Sequence, residues 1–267
     1  MQEEQAAALE PSQALWRTLL IGFSAGILNG LMGIGGGIVI VPGVIFLLKA
    51  SARVAVSTSL GTVLVLAWVA FLAHVAISGL HYSLQGAGAL LAAGLVAANL
   101  GGRMINVIPA KWILLLFGCL AYFSSGNLIM QGLGLYEVDP GAVVGEPPLY
   151  GYILIGAVAG FFSGMLGIGG GGLVVLAFSV IYHRPVLEGL PLALMVNIVN
   201  ATGGVVGQWG TGNILWREVM RMVPSALAGV GVGVLLAVWL PGDAFKVLFA
   251  AFFLFMGTRV LMRGLKG

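Results

Sequence analysis

Two runs of glycine are the part of this sequence best suited to bind a ligand through the backbone. Residues 33–37 read GIGGG and residues 167–172 read GIGGGG. A helix that begins directly after such a run exposes unpaired N–H groups and the positive end of its dipole, and glycine lets a ligand approach the main chain closely. These properties favour an anion site. The alternative interpretation is that the glycines only allow helices to pack closely.

Neutral polar side chains accompany both runs. Asn29 and Ser163 each stand four residues before a run, and Asn197 and Asn200 share one helix face because they are three residues apart. Such donors suit an oxyanion without adding a formal charge, although hydrogen bonds between helices use the same residue types. The predicted substrate-binding residues are Asn29, Gly35, Gly36, Gly37, Ser57, Thr58, Ser59, Ser163, Gly169, Gly170, Gly171, Asn197 and Asn200.

Titratable and metal-binding residues are scarce. No Asp or Glu falls inside the apolar segments, so the sequence lacks the carboxylate relay of many proton-coupled membrane proteins. His74 is the candidate for proton coupling, and a structural hydrogen bond is its alternative role. The single cysteine, Cys119, excludes an intrachain disulfide and a cysteine-ligated metal site. We therefore predict no metal, no cofactor and no catalytic residue.

The composition indicates the medium in which the chain folds. Of its 267 residues 60% are hydrophobic and 8% are charged, against about 25% charged in a soluble domain. The mean hydropathy of +1.08 agrees. Soluble enzymes, nucleic-acid-binding proteins and disordered chains are thereby excluded, and lipid is the expected surrounding. The net charge of +3 is explained by a few Lys and Arg residues in loops.

Apolar segments between the charged clusters predict the membrane crossings, each of which takes about 20 residues. Six segments fit one helix each: Val54–Ile77, Leu84–Gly102, Trp112–Gln131, Gly189–Trp216, Met222–Gly242 and Phe245–Met262. Two more, Thr18–Leu48 and Leu149–Tyr182, are too long for one crossing and too short for two, and each contains a glycine run near its middle. We predict that each enters, breaks at the glycines and returns, with arms of about 12–16 residues. Two short helices that both span fully are the alternative.

An internal duplication organises the chain. An offset of 134 residues superposes the glycine runs, and residues 25–40 and 159–174 then share eight identities in sixteen positions. Each half holds one broken segment and three crossings, and this odd number inverts the second half. The predicted fold is an all-α polytopic membrane protein with two inverted-topology repeats, each a glycine-broken hairpin (re-entrant or short helices) plus three transmembrane helices. Repeat 1 spans residues 13–131, an acidic linker 132–148 and repeat 2 149–263, in one transmembrane domain.

Loop charges orient this topology. The acidic linker Gly132–Pro148 and the neutral loop Ser78–Ser83 fall on one side of the membrane. Most basic residues fall on the other side: Lys49, Arg53, Arg103, Lys111, Arg217, Arg221, Arg259, Arg263 and Lys266. The positive-inside rule therefore places both termini in the cytoplasm, in a multi-pass protein of the cell (inner or cytoplasmic) membrane.

Three stretches carry a family signature. They are residues 29–37 (NGLMGIGGG) followed by Val41-Pro42, the second copy at residues 160–171 (GFFSGMLGIGGG), and the turn at residues 212–217 (GNILWR). Together they resemble the sulfite exporter TauE/SafE family of membrane transporters, over essentially residues 15–263. The resemblance implies movement of sulfite, sulfoacetate or other small organosulfur anions.

We therefore predict a secondary transporter that moves a small organosulfur or sulfur oxyanion, such as sulfite or sulfoacetate, across the cytoplasmic membrane by alternating access. Its expected partners are the small anion and membrane lipid, without nucleic acid, and it is a monomer or a homodimer. A passive anion channel is the first alternative. An intramembrane enzyme is less favoured, because a duplicated architecture is not expected of a lone nucleophile such as Ser163.

Overall fold

Helices form all the regular secondary structure in residues 11–32, 35–78, 84–133, 147–182, 186–239 and 242–266, the part of the chain that the computed structural model describes. The prediction of an all-α fold is confirmed over these residues. In chain order the helices are α1 (Pro11–Met32), α2 (Gly37–Leu47), α3 (Ala52–Ser78), α4 (Leu84–Met104), α5 (Ala110–Gly132), α6 (Leu149–Leu166), α7 (Gly171–Tyr182), α8 (Val186–Gly207), α9 (Trp216–Trp239) and α10 (Gly242–Lys266).

Long apolar helices identify a multi-pass membrane protein. Within the described residues, three stretches are long and apolar enough to cross a bilayer: Ala52–Leu72, Gly86–Met104 and Leu149–Leu166. Their outward side chains are large and apolar, and Leu72 and Leu154 are 60% and 63% exposed. Such exposure is unfavourable in water but matches a surface that faces lipid.

The first broken segment is a hairpin. α1 ends at Met32, and α2 begins at Gly37 after Gly36 adopts a left-handed backbone conformation with φ of 71°. A Cβ placed on Gly43 would lie 2.9 Å from the Ile21 side chain, and Arg17 donates a hydrogen bond to the carbonyl oxygen of Leu47 (3.2 Å). Contacts therefore move back along α1 as α2 advances, so α2 returns to the side from which α1 came.

The second broken segment folds in the same way. α6 ends at Leu166 and α7 begins at Gly171. The rings of Tyr152 on α6 and Phe178 on α7 lie 5.7 Å apart, and the Tyr182 hydroxyl lies 2.7 Å from the Cβ position of Gly151. The predicted breaks at the two glycine runs, and the return of the chain after each break, are confirmed.

The predicted arms of roughly equal length are wrong. The first arms α1 and α6 have 22 and 18 residues, whereas the second arms α2 and α7 have 11 and 12. Since a residue adds about 1.5 Å, the first arms are long enough to cross a bilayer and the second arms reach about half way. α1 is longer than predicted because Pro11 suits a first helical turn, and the helix runs through polar residues ahead of the apolar stretch.

Each first arm packs on a helix of the other half through a stripe of three glycines. α1 packs along α9, and α6 packs along α4. A Cβ on Gly26 would overlap the carbonyl oxygen of Ala226, and one on Gly160 would overlap that of Gly94. The stripes are Gly22, Gly26 and Gly30 on α1, and Gly156, Gly160 and Gly164 on α6. Because the offset of 134 residues also relates the stripes, the duplicated glycines make equivalent contacts in both halves.

The order of the contacts gives the helix directions. α1 and α9 are parallel, because their contacts rise together from Gly22 with Met222 to Gly30 with Val230. The contacts between α4 and α6 rise together in the same way.

α3 and α8 are antiparallel, because Ser57 meets Gln208 whereas Leu60 meets Gly204. α3 is parallel to α9, and α4 is parallel to α8. Helices α1, α3 and α9 therefore run one way, and α4, α6 and α8 run the other way.

Several predicted features lie outside the described residues. They include residues 1–10 of the polar N-terminal segment, residues 79–83 of the Ser78–Ser83 loop, residues 134–146 of the acidic linker, and the side chain of His74. The boundaries of repeat 1, linker and repeat 2 stay predictions.

Candidate functional site

The two glycine breaks contact each other. A Cβ on Gly37, the first residue of α2, would overlap the carbonyl oxygen of Gly167 in the second break. A Cβ on Gly35 would lie 3.3 Å from the carbonyl oxygen of Ile168. The backbones of the breaks are therefore in van der Waals contact, and α2 and α7 both start at this point of contact.

Left-handed backbone conformations recur in both breaks. The φ angles of Gly35 and Gly36 are 91° and 71°, and those of Gly169 and Gly170 are 93° and 88°. Residues with a side chain rarely adopt these conformations. The repeated glycines are thus required by the backbone path as well as by the close contact of the two breaks.

A buried asparagine holds one N–H group of each break. The N–H of Gly35 donates to Oδ1 of Asn29 (2.8 Å), and the N–H of Gly171 donates to Oδ1 of Asn197 (2.6 Å). The predicted ring of backbone N–H donors is therefore partly satisfied by the protein itself. An anion at the start of α7 would meet the N–H groups that follow Gly171, since the first turn of a helix has no helical acceptors for them.

Asn197 on α8 contacts both breaks. Its Nδ2 atom lies 3.3 Å from the Cβ position of Gly35, and its Oδ1 atom lies 2.6 Å from that of Gly169. The side chain is fully buried. It therefore connects the starts of α2 and α7, although its position at offset 134 in the first half is held by Val63.

Several buried polar atoms have no hydrogen-bond partner among the described residues. They are Nδ2 of Asn29, Oγ of Ser163, and both Nδ2 and Oδ1 of Asn200. Asn200 lies against the second break, with Nδ2 2.5 Å from the Cβ position of Gly170, and the Cβ of Ser163 lies 3.0 Å from the same point. An unsatisfied buried polar group costs about 1–3 kcal/mol, so these atoms are the strongest candidates for ligand contacts.

The three predicted hydroxyl residues of α3 have different partners. Ser59 donates to the carbonyl oxygen of Gly167 (2.7 Å) and so lies at the second break. Ser57 donates to Oε1 of Gln208 (3.0 Å), and the Thr58 hydroxyl accepts the N–H of Leu215 (3.1 Å). The bonds of Ser57 and Thr58 therefore lead to the segment between α8 and α9, away from the breaks.

Gln208 is a polar residue that sequence reasoning missed. It is 1% exposed, donates to the carbonyl oxygen of Gly102 and accepts from Ser57 and from Nδ2 of Asn213 (3.0 Å). Asn213 also donates to Asn106 (3.0 Å). This network ties together α3, α4 and the end of α8. A lone glutamine within an apolar segment was the signal that could have found it.

The glycine breaks are surrounded by neutral side chains, namely amides, hydroxyls and small apolar groups. Glu218 lies at the start of α9, where it accepts from Thr18 (2.6 Å) and pairs with Arg221 (2.7 Å). Among the described residues no three His, Cys, Asp or Glu side chains are grouped as a metal site would require. His74 belongs to α3, and its side chain is outside the described part of the chain.

Comparison with known proteins gives consistent results. The model of the family described as sulfite exporter TauE/SafE matches residues 2–128 and 151–266. The probable membrane transporter protein YunE of Bacillus subtilis is 26% identical over 235 residues, which cover 80% of this chain and 85% of that one. A probable membrane transporter protein of Haemophilus influenzae is 24% identical over 273 residues, covering 92% and 97%. No solved structure matches the chain significantly.

Proposed function

Because the chain belongs to the sulfite exporter TauE/SafE family, we propose that it is a secondary transporter for a small organosulfur or sulfur oxyanion, such as sulfite or sulfoacetate. The observation that carries this proposal is the contact between the two glycine breaks, flanked by buried polar atoms that have no partner among the described residues. The site is neutral, so an anion would be stabilised by backbone N–H groups, side-chain amides and the dipoles of α2 and α7.

The proposed mechanism is alternating access between two inverted repeats. Support comes from the helix directions: α1 and its sequence counterpart α6 run opposite ways, and each packs on the other half through equivalent glycines. In such an architecture the broken helices meet near the bilayer midplane, and the substrate binds between the repeats. Rocking of one repeat against the other would then open the site to each side in turn.

Coupling to protons is proposed to run through His74 or through protonation of the substrate itself. The first route rests on sequence alone. The second follows from the neutral surroundings of the breaks, where no ionisable side chain contacts the described glycines.

Flux measurements on purified protein in proteoliposomes test the function. We expect saturable uptake of labelled sulfite or sulfoacetate that is accelerated by unlabelled anion on the opposite side, because a carrier returns faster when loaded. Protein-free liposomes are the control. A conductance that rises linearly with anion concentration, without counterflow, would instead establish a channel.

The proposed orientation, with both termini cytoplasmic and the linker outside, predicts a labelling pattern. Ala142 lies in the acidic linker, so Ala142→Cys in a Cys119→Ser background should react with a membrane-impermeant maleimide in intact cells. The matched control is Ser51→Cys, at an exposed position between α2 and α3 on the proposed cytoplasmic side. That cysteine should react only after permeabilisation. The reverse pattern would contradict the orientation.

A further inference from the structure

We propose that the anion bound where the breaks meet carries a hydrogen-bond donor of its own, and that Asn200 and Ser163 recognise it. The inference rests on the proposed function and names the chemical class of its substrate. It assigns different roles to the two asparagines of α8, because Asn197 positions the start of α7 whereas Asn200 contacts the ligand.

Asn200 offers an unpartnered donor and an unpartnered acceptor at one point. Its side chain is 1% exposed, and neither Nδ2 nor Oδ1 has a partner among the described residues. Oδ1 lies 2.5 Å from the Cβ position of Gly94 on α4, and Nδ2 lies 2.5 Å from that of Gly170 at the start of α7. Rotating the amide by half a turn exchanges the two atoms, so the need for one donor and one acceptor does not depend on its assigned orientation.

Ser163 faces the same position from α6. It is fully buried, and its Cβ lies 3.0 Å from the Cβ position of Gly170, where Nδ2 of Asn200 also converges. The main-chain oxygen of Ser163 accepts the N–H of Gly167 (2.8 Å), whereas its hydroxyl has no partner among the described residues. Asn29 at the equivalent position uses its Oδ1 atom for the N–H of Gly35. The hydroxyl of Ser163 is therefore left for a ligand.

The donor and acceptor content of this subsite selects the ligand. A fully deprotonated oxyanion has only acceptors, so it would satisfy the amide N–H₂ and the hydroxyl but leave the amide oxygen of Asn200 buried against a negative oxygen. A monoanion with one O–H or N–H group satisfies both ends of the amide. Hydrogen sulfite has this character, and so do sulfonates that carry a hydroxyl or an amino group.

Two pairs of matched anions test the inference on the purified full-length chain. Hydrogen sulfite and methanesulfinate differ in a hydroxyl against a methyl group, and isethionate and ethanesulfonate differ in one hydroxyl. Calorimetric titration below the second pKa of sulfurous acid should show the hydroxyl-bearing member of a pair binding about 10- to 100-fold more tightly. Asn200→Leu should remove this preference, because the equivalent position of the first half already holds a buried leucine, Leu66.

The matched control is Thr202→Val on the same helix, since the Thr202 hydroxyl already bonds to the carbonyl oxygen of Ile198 (2.7 Å). Its preference should equal that of the wild type. Ser163→Ala is the second variant, because it removes one unbonded oxygen without adding bulk, and its preference should fall as well. Equal affinity for both members of each pair in the wild type, or an unchanged preference in the Asn200 and Ser163 variants, would overturn this inference alone. Binding of none of the four anions would overturn the proposed function with it.

Discussion

Gly170→Val is expected to lower the affinity for the substrate by about 100-fold while the protein still inserts into the membrane. Gly170 has φ of 88°, a conformation that costs a β-branched residue about 1–3 kcal/mol. The Cβ would lie 2.5 Å from Nδ2 of Asn200 and 3.0 Å from the carbonyl oxygen of Ala159. The valine side chain would therefore occupy the space in which we place the anion.

Binding to purified protein and proteoliposome uptake measure the effect. Gly210→Val is the matched control, because Gly210 has a similar φ of 77° but no atom within 4 Å of its Cβ position. It imposes comparable backbone strain far from the breaks and should leave the affinity unchanged. Gly36→Val is expected to act on the first break as Gly170→Val acts on the second, since φ is 71° there. Normal affinity in both break variants would refute the site, and loss of expression in both would favour the packing interpretation of the glycines.

The broken hairpins were predictable because two independent signals agree on them. Segment length excluded both one crossing and two, and the glycine runs marked where the helix must end. The arm lengths were not predictable from the same signals. A charge such as Arg17 marks where an apolar stretch begins, but a helix continues past it as long as its backbone hydrogen bonds are made.

The site was predictable as a set of residues but not in its division of roles. Asn197 and Asn200 share a helix face, so sequence places both near the breaks. Which of them caps α7 depends on a shift of one helical turn between α8 and α7, and periodicity carries no information on that shift. The same limit applies to α3, where Ser59 reaches the second break whereas Ser57 and Thr58 bond elsewhere.

Gly26→Val is expected to prevent stable folding, or to lower the melting temperature in detergent by about 10 °C. The side chain would overlap the carbonyl oxygen of Ala226, so α1 and α9 would have to separate along their whole contact. Overpacking of this kind usually costs about 1–3 kcal/mol and more when backbone atoms are involved. Gly160→Val should act equally on α6 and α4, because Gly160 meets the carbonyl oxygen of Gly94.

Fluorescence-detected size exclusion after heating measures this loss. Gly231→Val on α9 and Gly88→Val on α4 are the matched controls, since neither Cβ position has an atom within 4 Å, and both should melt within about 2 °C of the wild type. Gly26 and Gly160 are counterparts at the offset of 134 residues, so their variants should lose similar stability if the halves pack equivalently. A large loss in only one of them would contradict that equivalence. Melting temperatures of both stripe variants equal to those of the controls would contradict the helix contacts themselves.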